Sequence, residues 1–414
     1  MRDLMYPSLS PAIAQFKHIS REQRERELSV RTRRSPQYDP NNIRLGELIL
    51  APSVTTFTRY SDNVYGQDDN TDGDVLFGIR PEVSIRSDLP LHQLNAKFFV
   101  EDGNYNKLKQ EDYTDYGSEI GGRFDVYPGM AIPFALAYAQ GHTRRDEPEN
   151  RSSIDPTVFT VFGGGTGVRM SGDLIEVNGR TGFQTFKFDD TTSFAGGRID
   201  NSFRDRTHFT NTVSVGFPQE AIVAPFVYGG YRTTTYDKES SGFSRDSRDI
   251  EGGVGSFFNL TRVSQSDFRI GYVDREFDDS SIDPVTALTY QLNFNWDATT
   301  LASFNLFGKR EINETALDAS SQIETSVGLG MLYELAPNIL LKPELGYRTR
   351  DYQQSDLEIK AYTVDMQAIY KLNPNVWATL DYTGVSQEES GSTAIDTTDG
   401  YDENRLTLSL KFQL

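Results

Sequence analysis

Two-faced strands, joined by turns that are alternately short and long, predict an all-β chain closed into a transmembrane antiparallel up-and-down barrel. Short turns fall at Ser87-Asp88-Leu89-Pro90, Tyr127-Pro128-Gly129, Ser171-Gly172-Asp173, Pro218-Gln219-Glu220 and Leu260-Thr261-Arg262. Others follow at Trp296-Asp297-Ala298-Thr299, Leu335-Ala336-Pro337-Asn338 and Leu372-Asn373-Pro374-Asn375. Long polar stretches lie between them, such as Arg144 to Asp155, Asp189 to Asn201 and Ser386 to Asp402. In a bacterial barrel the short turns are periplasmic and the long loops extracellular.

Eighteen strands are expected, over residues 46–59, 74–87, 91–105, 114–126, 130–142, 157–169, 173–188, 203–217 and 221–236, then 247–259, 264–277, 285–297, 300–312, 321–334, 338–351, 357–371, 375–387 and 403–414. Each exceeds the roughly 9–11 residues that cross a bilayer at a tilt, and an even count returns both ends to one side. In the second strand Ile79, Pro81, Val83 and Ile85 oppose Arg80, Glu82, Ser84 and Arg86. In the twelfth, Leu288, Tyr290, Leu292, Phe294 and Trp296 oppose Ala287, Thr289, Gln291, Asn293 and Asn295. In the last, Leu406, Leu408, Leu410, Phe412 and Leu414 oppose Arg405, Thr407, Ser409, Lys411 and Gln413. Such period-two alternation means one face on an apolar solvent and one on a polar one. Two aromatic girdles are expected: Tyr127, Phe217, Trp296, Tyr333 and Tyr370 beside short turns, and Tyr60, Tyr138, Tyr236, Tyr272, Tyr347 and Tyr382 towards the long loops.

Composition agrees. Over 414 residues, 37% are hydrophobic and 24% charged, with 26 Phe, 21 Tyr, 34 Gly and no Cys. No apolar run approaches the roughly 20 residues of a membrane helix; Ala131 to Ala139 is shorter and holds Pro133. Alternation hides barrel strands from such an average. Net charge is -19, which disfavours nucleic acid as a partner because phosphate binding needs clustered positive charge. Residues 1–44 differ, with nine Lys/Arg against five acids. They are expected to form a basic periplasmic segment ahead of a barrel over 45–414. Ser10 to Val30 suits a short helix ahead of the basic Arg31-Thr32-Arg33-Arg34, and residues 1–44 have three roles open to them: disordered leader, lumenal plug, or docking segment for periplasmic polysaccharide-export proteins. Met1 to Pro7 lacks the apolar stretch of a signal peptide, so an export leader is expected to have been cleaved or left out of this numbering.

Tyr38-Asp39-Pro40, Leu45-Gly46, Pro52 and Tyr60-Ser61-Asp62-Asn63-Val64-Tyr65 resemble the β-barrel porin type 2 family of bacterial outer-membrane proteins. Pro81, Ser87-Asp88-Leu89-Pro90-Leu91-His92 and the Pro-Asn turns continue the likeness over residues 38–414. The resemblance implies an outer-membrane barrel surrounded by lipid and lipopolysaccharide, in a family associated with surface polysaccharide production. Leu414 departs from the Phe that commonly ends such barrels, with Phe412 on the same face.

Alternation assigns Arg80, Glu82, Arg86, Lys97, Glu119, Arg123, Glu176, Arg180, Arg204, Arg206, Asp267, Arg269, Lys342, Glu344, Arg348 and Asp381 to the lumen. Mutually satisfied ion pairs or a solute-screening path both fit this mixed lining, and mixed sign argues against strong selectivity for one ion charge. Asp68, Asn70 and Asp72 imitate the start of a Ca²⁺-binding loop, but Ile79 stands where the bidentate Glu belongs, so a solvated loop tip competes with a weak Ca²⁺ site. His18, His92, His142 and His208 have no metal spacing, and neither a nucleophile elbow nor a phosphate-binding Gly-Lys-Ser/Thr loop is present. No catalytic residue and no cofactor is therefore expected. The expected function is a conduit taking part in export of surface or extracellular polysaccharide; the alternatives are a diffusion porin for small hydrophilic solutes and a non-conducting structural or adhesive surface barrel.

Overall fold

The computed structural model describes residues 29–414 apart from 32, 34, 146–152, 194–195, 240–242, 262–263, 318 and 392–399. The helix expected over Ser10 to Val30 thus falls almost wholly outside the described residues. Eighteen strands form the wall. They are β1 Leu48–Ser61, β2 Asp74–Ser87, β3 Gln93–Tyr105, β4 Tyr113–Tyr127, β5 Met130–His142, β6 Val158–Ser171, β7 Glu176–Phe188, β8 Arg206–Gly216 and β9 Val223–Tyr236. The second half comprises β10 Ser247–Thr261, β11 Ser264–Phe277, β12 Val285–Asp297, β13 Ala302–Asn313, β14 Gln322–Ala336, β15 Ile339–Tyr352, β16 Glu358–Asn373, β17 Val376–Ser390 and β18 Gly400–Gln413. Each pairs antiparallel with its sequence neighbours. β1 also pairs with β18, from Ser53 opposite Gln413 to Ser61 opposite Arg405, and this seam closes the barrel. Closure removes the sheet edges that lipid cannot hydrogen-bond. A short strand, Ile43–Leu45, folds back on the start of β1.

Every expected segment overlaps one strand. The eighth starts later than the sequence suggests because Ser202–Arg204 forms a 3-10 turn before Arg206. Arg204 is therefore a turn residue, not a member of a strand face; its guanidinium lies 4.2 Å over the Phe188 ring.

Burial is inverted relative to a water-soluble domain. Arg275 and Arg350 are among the most completely buried large side chains, while Phe77 and Ile79 are 54% and 46% exposed. The outer face is apolar, as a lipid-facing barrel wall requires, and polar groups gather inside, where they satisfy one another. No helix among the described residues is long and apolar enough to cross a membrane, which says nothing about strands.

Several inward aromatic rings lie flat against glycines of the next strand. A Cβ on Gly78 would sit 2.1 Å from Phe57 Cζ, and one on Gly328 would sit 2.2 Å from Phe307 Cζ. Tyr228 covers Gly253 and Gly271 in the same manner. These seats keep bulky rings on the wall and out of the lumen.

Tyr127, Phe217, Trp296 and Tyr370 are exposed at the short-turn end, as are Tyr60, Tyr138, Tyr272 and Tyr382 towards the other. Tyr236 departs from the expected girdle: it is buried and points inward. Its parity is that of Arg232 and Thr234, which face the lumen.

Candidate functional site

Strand parity puts the expected lumen residues other than Arg204 on the face opposite the exposed apolar one. On β2 and β3, Arg80 binds Glu101 at 2.8 Å and stacks 4.3 Å over Phe99, while Lys97 meets Glu82 at 3.2 Å. On β4, Arg123 pairs with Asp125 at 2.8 Å. Glu176 at the foot of β7 accepts from Arg169 of β6 at 2.7 Å. Asp381 accepts from Gln367 at 2.6 Å, and Asp267 from Asn293 at 3.5 Å. Arg206 stacks 4.5 Å over Phe186 and donates to the Arg204 carbonyl at 2.9 Å. Lys342, Glu344 and Arg348 share one face of β15; Arg86 and Glu119 share the parity of the charged residues on β2 and β4.

At the long-loop end, the β13 edge of one hairpin parts from the wall. The β12–β13 ladder stops at Tyr290 opposite Arg310. β11–β12 continues to Arg275 opposite Val285, and β13–β14 to Asn313 opposite Gln322. Beyond Tyr290 the β13–β14 hairpin bends inward. Ile312 and Ile323, on the face that lower down meets lipid, here pack against Val273, Val285 and Ala287 on the inner faces of β11 and β12. At the tip, Leu317 and Ala319 pack against Tyr352, Leu357 and Ile359 of the adjoining β15–β16 hairpin, and β14 stays paired with β15 up to Gln322 opposite Tyr352. The hairpin thus spans part of the mouth as a lid.

Its latch is Glu314. The carboxylate makes a 2.9 Å charge contact with Arg275 and accepts from the Tyr236 hydroxyl at 2.8 Å. Burial alone would raise its pKa; the surrounding cations, Arg275 foremost, outweigh that and hold it at about 2. Arg275 also grips Asp249 at 2.8 Å, and Arg232 donates both to Asp249 and to the Ile312 carbonyl. Arg245, in the loop after β9, stacks 4.6 Å over Tyr236 and donates to the Thr315 carbonyl. A second loop closure lies over β3–β6, where buried Arg145 donates to Glu111 at 2.9 Å and to the Ser153 carbonyl at 2.6 Å.

At the short-turn mouth, described residues ahead of β1 contact the wall. Arg31 meets Asp297 at 3.3 Å, and Arg33 pairs with Glu334. The Tyr38 carbonyl accepts from Trp377 Nε1 at 3.0 Å, and Asp39 lies 3.8 Å from Lys371. Asp297, Glu334, Lys371 and Trp377 all face inward at the short-turn ends of their strands.

Between lid and lower mouth lies a cavity of about 230 Å³ bounded by β7–β13 and the lid. Its lining includes Arg180, Arg206, Arg269, Thr210, Thr212 and Glu251. Sequence reasoning named the first three but missed Arg232, Asp249, Arg275 and Glu314. The first three of these share a face with assigned lumen residues and were open to the same parity argument; Glu314 lies in a turn, where parity is silent.

Asp68 and Asp72 are exposed, and Asn70 has a left-handed φ of 55°. Asp74, the first residue of β2, accepts from the backbone N–H groups of Lys107 and Leu108 at 2.7 and 2.9 Å. Among the described residues no group of three His, Cys, Asp or Glu is gathered to hold a metal ion, so the Ca²⁺ candidate gains no support. His142 contacts Asp115, and His208 is buried against Thr234 and Arg206, so these two rings serve separate polar clusters.

A closed antiparallel barrel with an apolar outer belt and a polar, ion-paired interior defines a transmembrane channel-type protein. The family model described as "Putative beta-barrel porin 2" matches residues 35–414, and the chain belongs to that family. No curated protein matches the sequence. Similar solved structures include the outer membrane protein opdK of Pseudomonas aeruginosa, at 12% identity and TM-score 0.46, covering 88% of this chain and 99% of that one. The siderophore receptor PirA of the same organism gives 9% identity and TM-score 0.45, covering 91% and 81%.

Proposed function

We propose that this protein is a narrow outer-membrane channel for small hydrophilic solutes. The observation that carries the reading is the constriction at both ends. The β13–β14 lid overhangs a polar cavity of about 230 Å³, and Arg31, Arg33, Tyr38 and Asp39 are tied to inward side chains at the short-turn mouth. An 18-stranded barrel without such fillings leaves a broad aqueous channel. The side chains of Arg31 and Arg33 reach into the barrel, which favours mouth-filling over docking to a periplasmic partner.

The test is reconstitution of the full chain into planar bilayers and liposomes. Steady ion current, with uptake of monosaccharides and exclusion of long oligosaccharides, is expected. No current would overturn the channel reading and return the adhesive or structural barrel to the front. Polysaccharide export rests on the family resemblance and requires lid and N-terminal segment to withdraw together. Unchanged surface and secreted polysaccharide in a gene deletion would remove it.

A further inference from the structure

We propose that the central cavity binds the carboxylate of a small organic anion, such as an acidic monosaccharide, between the guanidinia of Arg180 and Arg269. The proposal rests on the channel reading for the route by which the solute arrives.

The argument is one of unmatched charge. Six cations and four carboxylates line the cavity, although the whole chain carries -19. All four carboxylates are committed. Asp249 is gripped by Arg232 and Arg275, each at 2.8 Å. Glu251 accepts from Tyr228 and Thr289 at 3.0 and 2.8 Å. Glu311 meets Lys309 at 2.5 Å, and Glu314 latches the lid. Arg180 and Arg269 have no carboxylate partner among the described residues. Arg269 and Arg169 are the charges that act most strongly on Arg180, and the one acid that acts on it, Glu176, is held by Arg169. Two like charges set against one cavity in a low-dielectric wall are unfavourable unless an anion joins them.

The surroundings suit a carboxylate on a polyol. Arg269 lies 5.8 Å over the Tyr228 ring, which is itself pressed on Gly253 and Gly271, so the guanidinium has a fixed platform. A planar fork so held matches a carboxylate with two parallel hydrogen bonds. Thr210, Thr212 and Gln184 offer hydroxyl and amide partners, and Gly182 and Gly230 leave room above the wall.

Calorimetric titration of the detergent-solubilised full chain with D-glucuronate and with D-glucose tests the site. Saturable binding of glucuronate but not glucose is expected. In the Arg180→Gln/Arg269→Gln double variant the Kd should rise about tenfold or more, the loss of a charge-assisted hydrogen bond. Arg198→Gln, in an exposed loop, should leave it unchanged. If the double variant does not fold, Arg180→Gln and Arg269→Lys are each expected to weaken binding. Absent glucuronate binding, equal binding of glucose, or affinity indifferent to these variants would overturn the site. Lack of bilayer current with glucuronate binding intact would overturn the channel reading and leave the site standing.

Discussion

Phe57 and Gly78 illustrate how single residues set the width of the lumen. The ring occupies the place of a side chain on the next strand, so Gly78→Ala forces Phe57 off the wall. Overpacking of this kind costs about 1–3 kcal/mol, read as a lower midpoint in urea unfolding of the lipid-reconstituted protein. The cost should largely vanish in a Phe57→Ala background, because the obstructing ring is gone. An equal loss in both backgrounds would mean that the glycine serves the backbone and not the ring. Gly328 and Phe307 repeat the arrangement on β14 and β13, so the same cycle there should give the same sign.

The lid and the N-terminal segment act as whole elements, each tied by a few charges. Glu314→Gln removes the charge facing Arg275 while keeping an acceptor for Tyr236, and the hairpin should release more readily. Breaking a buried ion pair costs about 3–5 kcal/mol, enough for bilayer current to show more frequent or wider openings. Unchanged current would deny Glu314 the role of latch. The pH dependence follows from the shift. The docked Glu314 titrates at about 2 against an ordinary 4.5, so its contribution is fully present above about 4.5 and is lost as pH falls towards 2. Conductance should therefore be level from pH 7 to about 5 and rise only below that; a rise between pH 7 and 6 would assign gating to another group. At the other mouth, Arg31→Gln/Arg33→Gln removes the cations facing Asp297 and Glu334. Larger single-channel currents are expected, and identical currents would rule out a mouth-filling segment.

At the scale of the whole barrel, the wall was legible because lipid and water act on alternate residues. Ile79 and Pro81 against Arg80 and Glu82 state both faces within four positions. The lid was not legible. Ile312 carries the parity of a lipid-facing residue, and only the break in the β12–β13 ladder turns it inward. Tyr236 was misassigned because nearness to a long loop outweighed the face it shares with Arg232. Parity assigns Arg180 and Arg269 inward, but that neither has a carboxylate depends on neighbours on other strands. The same distinction decides ion selectivity. Acids such as Asp68, Asp69 and Asp72 are exposed in loops, where salt screens them beyond about 10 Å at 0.1 M. Charges in the central cavity are shielded far less, and an ion in transit feels them most. A mixed lining limits the effect, yet the surplus at Arg180 and Arg269 gives it a sign. The reversal potential in a KCl gradient should show modest preference for chloride despite the acidic chain, and Arg180→Gln/Arg269→Gln should move it towards potassium. A cation-selective wild-type channel would mean that the outer loops, not the cavity, govern passage.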